Sequence, residues 1–321
     1  LDKLTEAMHY VAGRLFNYKF TPVPKETVPV YHEDVKVWEV TDKTSGENVG
    51  LWYLDPYARQ GKRSGAWATT YRSSTSFEGE TNVLASNNSN FVKPAPGEAL
   101  LVSWDDATTF FHEFGHALHQ MLSNVTYESV SGTSVARDFV ELPSQLFEHW
   151  LEVPEVLNEF ATHADTGTAM APDMLVKVLG AANFDMGFQT VEYVASALVD
   201  LAFHEGAVPN DPMAKQAEVL ADLGMPSAIR MRHATPQFAH VFSGDGYSSG
   251  YYSYMWSEVM DADAFQAFEE AGGAFDAERA GALEQHILST GGSRDAAELY
   301  VAFRGRLPGV EALLKGRGLA A

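Results

Sequence analysis

The sequence predicts a mainly α-helical fold with a small β-sheet, and three observations point to it. Beyond residue 100, apolar residues recur at helical spacing in one stretch after another. Residues 28–57 instead carry a β-rich run, a turn and a return run. At 321 residues and 45% hydrophobic, the chain is long enough to bury a sizeable core and still enclose a cleft.

The elements follow in order. Residues 1–18 place Leu4, Met8, Val11 and Leu15 on one side of a helix. Residues 21–30 contain Pro22 and Pro24 and read as a connector, closing a first segment of residues 1–30. Val35, Val37 and Val40 start a strand, residues 44–48 form a turn, and residues 49–54 return. A third strand is expected near 66–71, and the polar stretch 73–97 reads as loop around one short strand. Residues 31–100 therefore form a small β-rich region. From 101 to 321 the pattern is helical, with Ser103 or Asp105 capping a helix that runs to about residue 121. Further helices are predicted near 135–151, 154–164, 172–180, 185–204, 211–222, 248–271, 276–288 and from 294. The three regions read as one continuous unit, 1–321.

Composition narrows the function. A net charge of −21 argues against a nucleic-acid partner, since phosphate backbones need clustered Lys and Arg. There is no cysteine, so any transition-metal site must be built from His and carboxylate. No apolar run is long enough to span a membrane. The first residues lack a basic stretch followed by an apolar one, so no signal peptide is read and a cytoplasmic location is expected, although the chain begins with Leu.

The strongest motif is His112-Glu113-Phe114-Gly115-His116. Two His at i and i+4 lie one helical turn apart on one face, so both imidazoles can reach one ion. Glu113 stands beside the first ligand, where it can take a proton from the attacking water without binding the ion. A third protein ligand is needed. A third His six residues after the second is ruled out, because Leu122 stands there. The candidates are Glu128, Glu141 and Glu148. Glu128 falls in a loop-like stretch, whereas Glu141 is flanked by apolar residues and is expected to face inward, where a carboxylate wants a cation. Glu141 is favoured. Asp138 and Glu148 are the candidates for orienting a ligating imidazole. His119, on the same helix face as His112, reads as packing.

Residues 230–256 form a second constellation. Gly244, Gly246 and Gly250 lie among Tyr247, Tyr251, Tyr252 and Tyr254, just after His240. Glycines let a loop move or approach a substrate closely, and phenol hydroxyls can donate to an oxyanion.

Several stretches together resemble the M3 family of zinc peptidases, the group of thimet oligopeptidase, neurolysin, oligopeptidase A and bacterial peptidyl-dipeptidase. They are Phe-His-Glu-Phe-Gly-His-Ala-Leu-His at 111–119, Asp-Phe-Val-Glu-Leu-Pro-Ser-Gln at 138–145 and Gly-Tyr-Ser-Ser-Gly-Tyr-Tyr-Ser-Tyr-Met-Trp at 246–256. The stretch from Tyr53 to Trp67 and Phe-Arg-Gly-Arg at 303–306 also match. The resemblance implies a zincin-type, thimet oligopeptidase-like catalytic domain with one Zn²⁺ on His112, His116 and Glu141, and Glu113 as general base. It implies that Tyr247 and Tyr254 stabilise the transition state and that His240 and Tyr251 contact substrate. It further implies short peptides as substrates, cut internally or as C-terminal dipeptides. Arg230 and Arg232 are candidates for clamping a terminal carboxylate. Family members are longer, with an N-terminal helical half forming the opposite channel wall. A missing half or second chain is therefore a candidate partner, and a non-catalytic, zinc-holding peptide-binding subunit is the rival reading.

Overall fold

The computed structural model describes residues 1–320. The apolar stripe of the first segment is buried: helix α1 (Asp2–Leu15) turns Met8, Val11, Ala12 and Leu15 inward. The sheet that follows comprises β1 (Tyr18–Pro22), β2 (Lys36–Asp42), β3 (Asn48–Tyr57), β4 (Trp67–Arg72) and β5 (Val83–Phe91), in the order β1-β2-β3-β5-β4. β3 and β5 pair in parallel and all other neighbours are antiparallel, so the sheet is mixed. β1 lies in part of the predicted connector. Its Pro22 is tolerated because an edge strand leaves one side of the backbone unpaired.

β5 corrects the expectation of a loop-rich 73–97. It is nine residues long, lies between β3 and β4, and buries Ser86, Asn87, Asn88 and Ser89. These polar side chains are buried because they are bonded. The Trp52 indole donates to Asn87 Oδ1 at 2.6 Å, and Asn87 Nδ2 donates to the Glu113 carbonyl at 2.5 Å. One asparagine thus ties the sheet to the helix carrying the His-Glu motif.

The helices are α2 (Trp104–Leu122), α3 (Leu142–Glu152), α4 (Pro154–Phe160), α5 (Pro172–Ala181), α6 (Met186–His204), α7 (Pro212–Asp222), α8 (Ala239–Phe242), α9 (Ser253–Ala271), α10 (Ala277–Leu283), α11 (Ala296–Arg304) and α12 (Glu311–Gly316). Ser103, rather than Asp105, caps α2. Its hydroxyl accepts from the Asp106 amide, and the Asp106 carboxylate accepts from the Ser103 amide. α3 starts at Leu142 rather than near 135, and α9 at Ser253 rather than 248. Both trimmed stretches are turns that carry site residues. α10 runs on into a π-helical turn, Glu284–Leu288.

One apolar cluster runs through α1, the sheet, α2, α3, α9 and α11, with Trp52, Phe110, Phe111, Phe114, Trp150 and Phe268 fully buried. The Phe-Arg-Gly-Arg stretch closes it. Buried Asp263 on α9 accepts from the Tyr300 hydroxyl at 2.8 Å and from Arg304 Nε at 3.1 Å, and Arg306 joins it. Among the described residues no helix is long and apolar enough to cross a membrane.

Candidate metal centre and cleft

α2 sets His112 and His116 one turn apart, with ring centroids 4.8 Å apart and planes at 87°. Their Nε2 atoms lie 3.2 and 3.1 Å from Glu141 Oε2. The three ligand atoms all fall within 4.8 Å of one another. Bonds of about 2.0 Å to a tetrahedral ion would space ligand atoms roughly 3.3 Å apart, so the donor set fits a divalent cation. Glu128, by contrast, sits on a short 3-10 turn (Glu128–Val130) and takes no part in the cluster.

Glu141 is placed by helix packing. It immediately precedes α3 without a side-chain bond to the helix amides, is 3% exposed, and accepts from the Ser144 hydroxyl at its carbonyl and its carboxylate. α3 approaches α2 closely at Gly115, where a Cβ would stand 2.6 Å from Ser144 Cα and 2.7 Å from the Pro143 carbonyl oxygen. The glycine inside the motif therefore allows the contact that brings the third carboxylate to the two imidazoles.

The electrostatics are those of a cation site. Burial opposes protonation of His112, but its bonds to Glu141 and Glu148 outweigh that and hold its pKa well above the usual imidazole range. Burial would raise the Glu141 pKa, but the His116 charge and both imidazole bonds hold it well below the usual carboxylate range. A cation bound there would take over the role of those protons. His112 Nδ1 lies 2.6 Å from Glu148 Oε1. As an Nδ1–H donor to Glu148, His112 is left with its Nε2 lone pair facing the site. Asp138, the other orienting candidate, instead accepts from the Tyr252 hydroxyl at 2.9 Å. Glu148→Ala is expected to weaken metal affinity by about 10–100-fold. Competition against a chromogenic chelator measures this, and unchanged affinity would remove Glu148 from the centre.

Glu113 points into the same space. It is 7% exposed, and its Oε2 has no protein partner. Burial raises its pKa while the two imidazoles pull it down. His119 is fully buried with both ring nitrogens unpartnered, and burial pushes its pKa down to about 3, so it packs as a neutral ring.

These residues floor a cleft of about 700 Å³. One wall is the segment Arg63 to Ala68, which leads into β4. That segment hangs on buried Asp55, which takes a two-pronged bond from Arg59 at 2.7 and 2.8 Å. Lys62 pairs with Asp55 at 3.0 Å and donates to the carbonyls of Asp55, Tyr57 and Ser89. The Tyr53–Trp67 stretch therefore serves to build this wall.

The opposite wall carries His240, Tyr247, Tyr254 and Arg137. His240 Nε2 lies 2.9 Å from the Tyr254 hydroxyl, its ring is 4.3 Å from that of Tyr247, and the Arg137 guanidinium stands 4.2 Å over Tyr247. Burial lowers the His240 pKa and raises that of Tyr254, so both stay neutral near pH 7. Tyr251 sits behind this wall, its ring against Phe238 and Tyr193 and 5.7 Å from that of Tyr254. Arg230 and Arg232 are not part of the cleft lining; Arg232 faces Glu192 at 3.8 Å. The cationic groups on the walls are instead Arg63 and Arg137, which the sequence reading did not single out. Arg137 stands four residues before Glu141, a spacing that could have flagged it.

Comparison with known proteins identifies the family. The model of peptidase family M3 matches residues 1–319. The dipeptidyl carboxypeptidase of Escherichia coli (strain K12) is 38% identical over 321 residues, covering 98% of this chain and 46% of the relative. Oligopeptidase A of the same organism is 37% identical over 330 residues, 99% of this chain and 47% of the relative. A probable cytosolic oligopeptidase A of Arabidopsis thaliana is 34% identical over 341 residues, 100% of this chain and 47% of the relative. The chain thus spans about half the length of these curated relatives. With a family match along nearly its whole length and relatives above 30% identity, this chain belongs to peptidase family M3.

Proposed function

We propose that residues 1–321 form the zincin-type catalytic unit of a zinc-dependent metallopeptidase that hydrolyses short peptides. The observation that carries the reading is the convergence of His112 Nε2, His116 Nε2 and Glu141 Oε2 beside the buried, unpartnered Glu113 carboxylate oxygen. A zinc ion held by these three side chains supplies Lewis acidity and lowers the pKa of the attacking water.

The chain's own groups do the rest. Glu113 accepts the water proton as oxygen attacks the scissile carbonyl, then passes it to the leaving amine nitrogen as the C–N bond breaks. Burial suits it to this, because a desolvated carboxylate binds a proton more readily. The Tyr254 hydroxyl donates to the oxyanion that forms on the carbonyl. In its Nε2–H tautomer His240 donates to the Tyr254 oxygen and leaves the phenol hydrogen for the cleft. Tyr247, stacked on His240, supplies a second donor on that wall, while Tyr251 backs the substrate-facing rings. β4 is the sheet edge and its first residues line the cleft, so an extended peptide can pair with it as an added strand.

A second reading, release of C-terminal dipeptides, is favoured by Arg63 and Arg137, guanidinium groups suited to a terminal carboxylate. Cytoplasmic location is proposed alongside, in keeping with the name of the cytosolic relative. A quenched-fluorescent short peptide tests the activity. Hydrolysis is expected to vanish on chelation and return with Zn²⁺, and turnover by metal-stripped protein would contradict the reading. C-terminal amidation of the peptide should abolish cleavage only if dipeptide release is the reaction.

A further inference from the structure

Tyr254 lies in the first turn of α9, but Tyr247 stands in the turn before it, and that turn is held from another helix. Residues 247–252 form a turn ahead of α9 in which Ser249 adopts φ +58°, a left-handed conformation that a serine occupies only when its surroundings hold it there. The holding group is Asp200 on α6, only 1% exposed. Its Oδ1 accepts from the Ser249 amide at 3.0 Å and its Oδ2 from the Tyr251 amide at 2.9 Å. His204 Nδ1, one turn along α6, stands 3.0 Å from Oδ1. A second tie from the same helix is Tyr193, whose hydroxyl donates to the Tyr251 carbonyl and accepts from the Met255 amide at 3.2 Å. These two side chains grip the backbone between and beside Tyr247 and Tyr254 from α6. A buried carboxylate spent on two backbone amides is a costly device unless the loop geometry matters.

We propose that Asp200 is a positioning residue for the proposed peptide hydrolysis: by clamping the Ser249 and Tyr251 amides it sets Tyr247 and Tyr254 at the distance where their hydroxyls meet the transition state. The inference rests on the metallopeptidase reading, because it assigns those tyrosines a role in turnover. Asp200→Asn is the sharpest variant. It keeps shape, but its NH₂ opposes one backbone amide, so one of the two clamping bonds is lost.

The expected result is a fall in kcat of roughly 10²-fold, the scale of a 1 Å misplacement, with KM changed far less and zinc content as in wild type. Hydrogen exchange should quicken at the Ser249 and Tyr251 amides while α2 and α3 keep their protection. Because Asp200 acts through the tyrosines, Tyr247→Phe on the Asp200→Asn background should cost much less than it does alone. Tyr193→Phe removes the second tie without touching the carboxylate, and it should lower kcat in the same way should Asp200→Asn fail to fold. Unchanged kcat in both variants, losses that multiply independently with Tyr247→Phe, or unaltered exchange at the two amides would overturn the proposal. Failure of the underlying reading would look different: Tyr247→Phe and Tyr254→Phe would both turn over as wild type, while the exchange of the two amides would still respond to Asp200→Asn.

Discussion

Glu113→Gln is expected to keep its metal and lose turnover by about 10²–10⁴-fold, the usual contribution of a positioned proton acceptor. The substitution is nearly isosteric and leaves the ligand atoms of His112, His116 and Glu141 untouched. It removes the group that shuttles the proton from water to the leaving amine. Oε2 of Glu113 has no protein partner, and the bond that the carboxylate takes from the Ala68 amide can be kept by the remaining oxygen of Gln. The loss should fall on kcat with KM little changed, since the proton moves only after substrate binds. Steady-state kinetics beside metal analysis decide the matter. A variant that loses metal, or turns over within a factor of a few of wild type, would remove Glu113 as the base.

Gly115→Ala has the second-largest expected effect, and it acts at a distance from the chemistry. The new Cβ would stand 2.6 Å from Ser144 Cα and 2.7 Å from the Pro143 carbonyl oxygen, both backbone atoms that cannot swing aside. The α2–α3 contact must open. Overpacking of this kind costs about 1–3 kcal/mol of stability. Because Glu141 immediately precedes α3, the opening also pulls its carboxylate away from the two imidazoles. Metal affinity should fall by roughly 10-fold or more, as it does when ligand orientation is lost. Denaturant unfolding of metal-free protein reads the first effect and chelator competition the second. If stability falls with affinity unchanged, the glycine serves packing alone.

Sequence alone read the site better than its supports. His112, Glu113 and His116 were legible because helical spacing fixes which side chains share a face. Glu141 was legible because an acid among Phe139, Val140 and Leu142 must face inward and find a charge partner. β5 was not, because Asn87, Asn88 and Ser89 look like loop until Trp52 and the Glu113 carbonyl are seen to bond Asn87. The starts of α3 and α9 were misplaced because apolar residues in a tight turn mimic helical spacing. The role of Gly115 was not legible, because its reason lies in the neighbouring helix. Asp200 is flagged by its neighbours: an acid set between Val199 and Leu201 in an apolar stretch of α6 must bond something.

The central claim is that His112, His116 and Glu141 grip a single divalent ion. Metal analysis combined with zinc K-edge absorption, on wild type and Glu141→Ala after zinc loading, tests it most directly. One zinc per wild-type chain is expected, bound by two imidazole nitrogens and a carboxylate oxygen, with a sharply weakened hold in the variant. Wild-type chains that stay metal-free after loading, or a Glu141→Ala variant with the same zinc content and the same spectrum, would contradict it.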